Sequence, residues 1–141
     1  MLSLSTARRL RAAGLPWTPG LHDFFTIPEH GMDDRVFVIS DVSVDIELLQ
    51  GRSIVTFNGT FEWALDYTVI SETVWLPTEE QLRRQLEQRL ANGAPSMLKL
   101  LYAPDGYWCE IQSKGKALAF LGADASEAYA EALLHVLEEN R

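Results

Sequence analysis

Two tight turns in the last third of the chain constrain its fold more than any other feature. Pro104-Asp105-Gly106 and Lys114-Gly115 separate three segments of strand character, Met97 to Ala103, Tyr107 to Ser113 and Ala117 to Leu121. Connections this short join antiparallel neighbours, because a parallel return needs a long crossover. A three-stranded antiparallel meander is therefore expected. After it, Asp124-Ala125-Ser126-Glu127 reads as a capping box opening a helix to about Glu139, with Tyr129, Leu133, Val136 and Leu137 facing inward.

Two further helices carry their own end signals. Thr78-Glu79-Glu80-Gln81 is a capping box, in which the threonine oxygen serves the third helical amide and Gln81 reaches back. Leu82, Leu86 and Leu90 continue a buried stripe, Glu79/Arg83 and Glu80/Arg84 are spaced as i,i+4 ion pairs, and Asn92-Gly93 ends the helix. The spacing of Leu4, Ala7 and Leu10 predicts another helix over about residues 4–13, capped by Ser3 or Ser5. Gly14 supplies a left-handed end there, Leu15 can fold back onto Leu10, and Pro16 stops continuation.

The middle of the chain is punctuated by Pro16, Pro19, Gly20, Pro28 and Gly31. Phe24 to Ile27 reads as a brief strand. Arg35 to Ser40 is β-branched and apolar on both faces, which predicts an interior strand. Residues 41–50 fit either period: Val42, Val44, Ile46 and Leu48 alternate as a strand, while Glu47-Leu48-Leu49-Gln50 before Gly51 resembles a last helical turn. The balance falls on helix. Ser53 to Phe57 is a strand closed by Asn58-Gly59; Thr60 then caps a helix through Tyr67, and Val74 to Leu76 runs extended into Pro77. The fold class is thus α+β: an antiparallel sheet, including the C-terminal meander, packed by three to five helices in one domain over 1–141.

Charge and cysteine content limit the function classes. The net charge is −8, which repels phosphate backbones and makes nucleic acid a poor partner. Arg8, Arg9 and Arg11 are a local exception, most simply a solvated helix face. No apolar run approaches membrane-spanning length, and no secretory h-region follows the arginines. The single cysteine, Cys109, excludes an intrachain disulfide and suits a reducing, cytoplasmic compartment; alternation places it with Tyr107 and Ile111 as inert packing.

Three constellations could carry chemistry. His22, Asp23, His30, Asp33 and Asp34, with Glu29, crowd a turn-rich stretch, and imidazole with carboxylate is what zinc or manganese takes. Their spacing matches no ligand pattern, and acidic loops commonly cover soluble proteins. Trp63, Asp66, Tyr67 and Trp75 join carboxylate to aromatic surface as a small-ligand pocket would, although packing is the simpler account. His135 follows Glu131 by four positions, as an exposed histidine beside a helix ion pair. Nucleophile elbows, phosphate loops and dinucleotide fingerprints are missing from the sequence.

Asp33-Asp34-Arg35-Val36-Phe37-Val38-Ile39-Ser40, Phe57-Asn58-Gly59-Thr60 with Glu62-Trp63-Ala64-Leu65-Asp66-Tyr67, and Val74-Trp75-Leu76-Pro77-Thr78-Glu79-Glu80-Gln81-Leu82 resemble a family of small bacterial and phage-type proteins, some labelled pilus-assembly proteins. The closing strand–strand–strand–helix segment, with Ser126-Glu127-Ala128 at its helix start, is similar to HicB-type antitoxin domains. These resemblances imply no catalytic residues. The expected function is a non-enzymatic binding or protein-interaction module without cofactor, for an unidentified protein partner or small ligand, and compatible with a homodimer. The alternative is a small metal-assisted hydrolase on the His22–Asp34 loop.

Overall fold

A computed structural model describes residues 1–28, 32–39, 44–49, 52–57, 68–69, 72–92 and 96–140. The chain forms two compact units, Met1–Leu15 with Pro77–Arg141, and Pro16–Leu76. The fold is α+β, with three helices and three antiparallel three-stranded sheets among the described residues.

In the first unit, α1 (Leu4–Ala12) begins where Ser3 Oγ accepts the Thr6 amide at 3.2 Å. It ends as Gly14 adopts φ +93°, with the Gly14 amide donating to Arg11 O and the Leu15 amide to Leu10 O, both at 3.0 Å. This pair of bonds satisfies carbonyls that the last helical turn leaves open. Next in the unit is α2 (Glu79–Leu90), whose capping box is formed in both directions: Gln81 N donates to Thr78 Oγ1 at 3.2 Å and Thr78 N to Gln81 Oε1 at 2.9 Å. Leu82, Leu86 and Leu90 are buried as the stripe requires. Arg84 pairs with Glu80 as expected, but Arg83 turns forward to Glu87 at 2.6 Å instead of back to Glu79. Both glutamates sit four residues away, so spacing alone leaves the choice open.

The meander is Met97–Ala103, Gly106–Ser113 and Lys116–Gly122, which in the full chain order are β7, β8 and β9. Its register runs without a bulge through Leu100↔Cys109↔Phe120 and Leu101↔Trp108↔Leu121. Helix α3 (Ala125–Glu139) packs on β8 and β9 and also meets α1 and α2. That double contact explains why its burial extends beyond one stripe, to Ala128, Tyr129, Ala130, Ala132, Leu133, Leu134 and Val136.

Asp124 caps α3, accepting the Glu127 amide at 2.9 Å. The reciprocal half of that expected box is missing. The Glu127 carboxylate instead accepts from Ser3 N at 2.8 Å and Thr6 Oγ1 at 2.7 Å. It thereby satisfies an open amide at the start of α1 and places negative charge at the positive end of that helix. A residue read as a local cap is a tertiary tie between the chain's two ends.

The second unit contains two sheets. In the first, β1 (Phe24–Ile27) lies between β2 (Met32–Val38) and β6 (Val74–Leu76). β2 was expected as an interior strand, but among the described residues it pairs only with β1, and Val36 and Val38 are exposed. Apolar residues on both faces reflected β-branched preference for extended backbone, which an edge strand shares. The second sheet has the order β3 (Val44–Leu49), β4 (Arg52–Phe57), β5 (Thr68–Val69). The helix expected within 41–50 is therefore a strand over Val44–Leu49, paired from Val44↔Phe57 to Leu49↔Arg52. Six cross-strand pairs outweigh the local suggestion of a last helical turn. The helix expected over Thr60–Tyr67 lies outside the described residues.

Candidate functional site

The aromatic centre of the second unit is built by register. Phe25 stands opposite Phe37 on β2 and Trp75 on β6, so the three rings share one face of the sheet. Phe25 is fully buried, with Phe37 at 5.5 Å and Trp17 at 6.3 Å between ring centroids. Trp17 stacks on Trp75 at 6.1 Å with an interplanar angle of 4°. The Trp75 indole nitrogen is buried and finds no hydrogen-bond partner among the described residues, nor does Thr26 Oγ1. Trp75, read as a candidate ligand contact, is thus engaged in a ring stack. Trp63, Asp66 and Tyr67 lie outside the described residues.

Asp23 is what holds this stack in place. Its Oδ2 accepts from Trp17 Nε1 at 2.9 Å and from the Gly20 amide at 3.0 Å, closing the turn that precedes β1. His22 adopts φ 71°, and its amide donates to Ile39 O at 2.8 Å while Ile39 N donates to Asp23 O at 3.0 Å. Of the candidate metal ligands, His22 and Asp23 therefore serve the turn by backbone and carboxylate respectively. His30 lies outside the described residues, and Asp33 and Asp34 fall within β2. No group of three or more metal-ligating side chains occurs among the described residues. Asp23→Ala is expected to lower stability by about 2–4 kcal/mol, since it strands two donors around a buried position. Urea unfolding should show the same loss with and without added zinc; stabilisation by zinc that the variant abolishes would support the ligand reading instead.

Cys109 is fully buried on β8. Burial, and after it the charge of Glu110, pushes its thiol from 9.0 up to about 12, so it carries no nucleophilic thiolate at neutral pH. A raised folded-state value means the unfolded chain gives up this proton first. The associated stability is complete below pH 9 and declines as pH rises toward 12, by at most about 1.4 kcal/mol per pH unit. Urea midpoints between pH 8 and 11 should fall along that limb, and thiol reagents should label Cys109 only as the protein unfolds.

His135 departs from its expected setting. Glu139 lies 3.8 Å from its Nε2, beyond hydrogen-bond reach, and that buried nitrogen has no hydrogen-bond partner among the described residues, while Glu131 is taken by both terminal guanidinium nitrogens of Arg9, at 2.5 and 3.2 Å. The ring packs on Phe120 at 5.4 Å, leaving the side chain half-buried rather than exposed. Arg9 is accordingly held in a tie between α1 and α3.

The side of the meander away from α3 carries exposed apolar side chains. On the inner side stand Leu98, Leu100, Cys109, Ile111, Leu118 and Phe120; on the outer side the strands alternate to a second set. One row of that set crosses all three strands: Leu101, Trp108 and Leu121, with the two leucines 44% and 43% exposed. Asp105 Oδ1 accepts from Trp108 Nε1 at 3.0 Å and pins the indole across the face. The next row in register is Lys99, Glu110 and Ala119, followed by Met97, Gln112 and Ala117. Sequence reasoning missed this face although its signal was present. Placing Cys109 with Tyr107 and Ile111 leaves Trp108 on the other side, beside two leucines.

No family model, curated protein or solved structure matches the chain.

Proposed function

We propose that this protein is a non-enzymatic interaction module that docks a protein partner on the outer face of β7–β8–β9. The observation that carries this reading is the apolar row Leu101–Trp108–Leu121, spanning the sheet on its solvent side. Contiguous apolar surface costs free energy in water, and an indole fixed in orientation loses little entropy when it is covered. The net charge of −8 disfavours nucleic acid. Among the described residues no helix is long and apolar enough to cross a membrane. A lone buried thiol fits a cytoplasmic setting. The similarity of the closing segment to antitoxin domains supports a binding role by analogy.

A photo-crosslinking amino acid placed at Ala119 in living cells tests the reading. Adducts with protein are expected, and they should vanish when Leu101→Lys and Leu121→Lys are added. No adduct, or adducts indifferent to those two changes, would overturn it.

A further inference from the structure

We propose that a cleft at the ends of α2 and α3 binds a small tetrahedral oxyanion, a phosphate group held between Arg89 and Lys114. The cleft has a volume of about 90 Å³ and lies within one compact unit. It is lined by Arg89 and Asn92 at the end of α2, Ser96 before β7, Ser113 and Lys114 at the β8–β9 turn, and Glu139 of α3. Ser113 alternates onto the inner side of β8 with Cys109 and Ile111, so the site is distinct from the outer face of the meander. Its volume is well below the roughly 300–1,000 Å³ of a pocket for a drug-sized molecule, and it suits one small group.

Arg89 carries a half-buried charge that no carboxylate answers among the described residues. Arg9, Arg83 and Arg84 each meet a glutamate. Arg89 Nη1 instead donates to Gln85 O at 3.0 Å and to Gln85 Oε1 at 2.7 Å, both neutral acceptors. Burial alone shifts its pKa, downward from 12.5, so Glu139 in the same lining does not offset the cost of taking this cation out of water. Nε and Nη2 remain for a ligand, and the planar guanidinium edge matches two oxygens of a phosphate. Lys114 adds a second cation from an unfavourable backbone position. With φ 51° at Lys114 and 76° at Gly115, the turn favours asparagine followed by glycine. A lysine held in the left-handed region costs free energy that asparagine would spare, and strain of this kind beside a cleft points to a use for the side chain. Ser96, Ser113 and Asn92 supply neutral donors around the pair. The carbonyl ends of α2 and α3 oppose an anion, so binding rests on the two cations and weakens as salt rises.

Nuclear magnetic resonance titration of the intact, ¹⁵N-labelled protein with inorganic phosphate, at fixed ionic strength, tests the site. The amides of Ser113, Lys114 and Gly115 and the Arg89 Nε signal should shift together and saturate at millimolar phosphate. Lys114→Asn should weaken binding about tenfold, through loss of one charged hydrogen-bond donor. Without phosphate that variant should melt no lower than wild type, because asparagine suits the turn. Arg89→Gln should abolish saturable binding; if it fails to fold, Lys114→Asn decides alone. Glycerol phosphate in place of the inorganic ion separates two sources of the same group. Tighter binding of the ester assigns the cleft to a phosphorylated ligand, and equal or weaker binding assigns it to the free ion. Shifts that never saturate, or that are unchanged in Lys114→Asn, mean nonspecific screening only and overturn the proposal.

Discussion

Gly122→Ala is expected to lower stability by about 3 kcal/mol. The reason is a backbone approach, not a backbone angle. A Cβ at Gly122 would lie 2.2 Å from the Ala128 amide nitrogen, 2.7 Å from the Glu127 carbonyl carbon and 2.8 Å from Ala128 Cα. All three atoms belong to the first turns of α3, which Asp124 caps and which is buried against the sheet. No side chain can swing aside to make room. Either β9 or the start of α3 must move, and the same turn carries Glu127 in its tie to α1. Gly115→Ala is the control: φ there is +76° with open space around it, so only left-handed strain of about 1 kcal/mol applies. Thermal unfolding should show a fall of roughly 10 °C for Gly122→Ala and much less for Gly115→Ala. If the two glycines prove equally tolerant, the close packing of β9 on α3 is wrong.

Phe25→Ala is expected to cost about 3–5 kcal/mol, the range for emptying an aromatic position in a core that cannot collapse. β1 is held by hydrogen bonds on both sides, by β2 and by β6, so its backbone cannot move in to fill the space. The ring contacts of Phe25 with Trp17 and Phe37 disappear, and the Trp17–Trp75 stack loses its floor. Near-ultraviolet circular dichroism should therefore weaken with little change in the far ultraviolet, and denaturant unfolding read by tryptophan fluorescence should shift to lower urea. Phe25→Leu should lose less than half as much, since most of the volume is retained. A stability loss below 1 kcal/mol for the alanine variant would mean that the aromatic cluster is not the core of this unit.

These expectations differ in how far they could be reached without coordinates. Elements closed by their own neighbours were legible. The helix over Leu4–Ala12 ends on bonds from Gly14 and Leu15, and the helix over Glu79–Leu90 starts on a box made within four residues. The meander follows from two turns too short for any other pairing. In each case, partners a few residues apart meet whatever the remainder of the chain does.

Elsewhere, local pattern was compatible with two outcomes and a distant partner chose between them. Val44–Leu49 became a strand because β4 supplies a full ladder of pairs. Glu127 left its own helix end for Ser3 and Thr6, more than a hundred residues earlier, and Glu131 left His135 for Arg9. Asp23, grouped by composition with metal-type residues, accepts an indole and an amide that shape a turn.

By itself, then, the amino-acid sequence determined the capped helices, the antiparallel meander and which residues alternate onto each side of it. Those features depend on hydrogen bonds and turn geometry that close over short stretches of chain. Only the tertiary structure decided which side of the meander α3 covers, and hence that Leu101, Trp108 and Leu121 are left facing water. Periodicity sorts side chains between two faces, but burial depends on what packs against each face, and that is settled by groups far away in sequence.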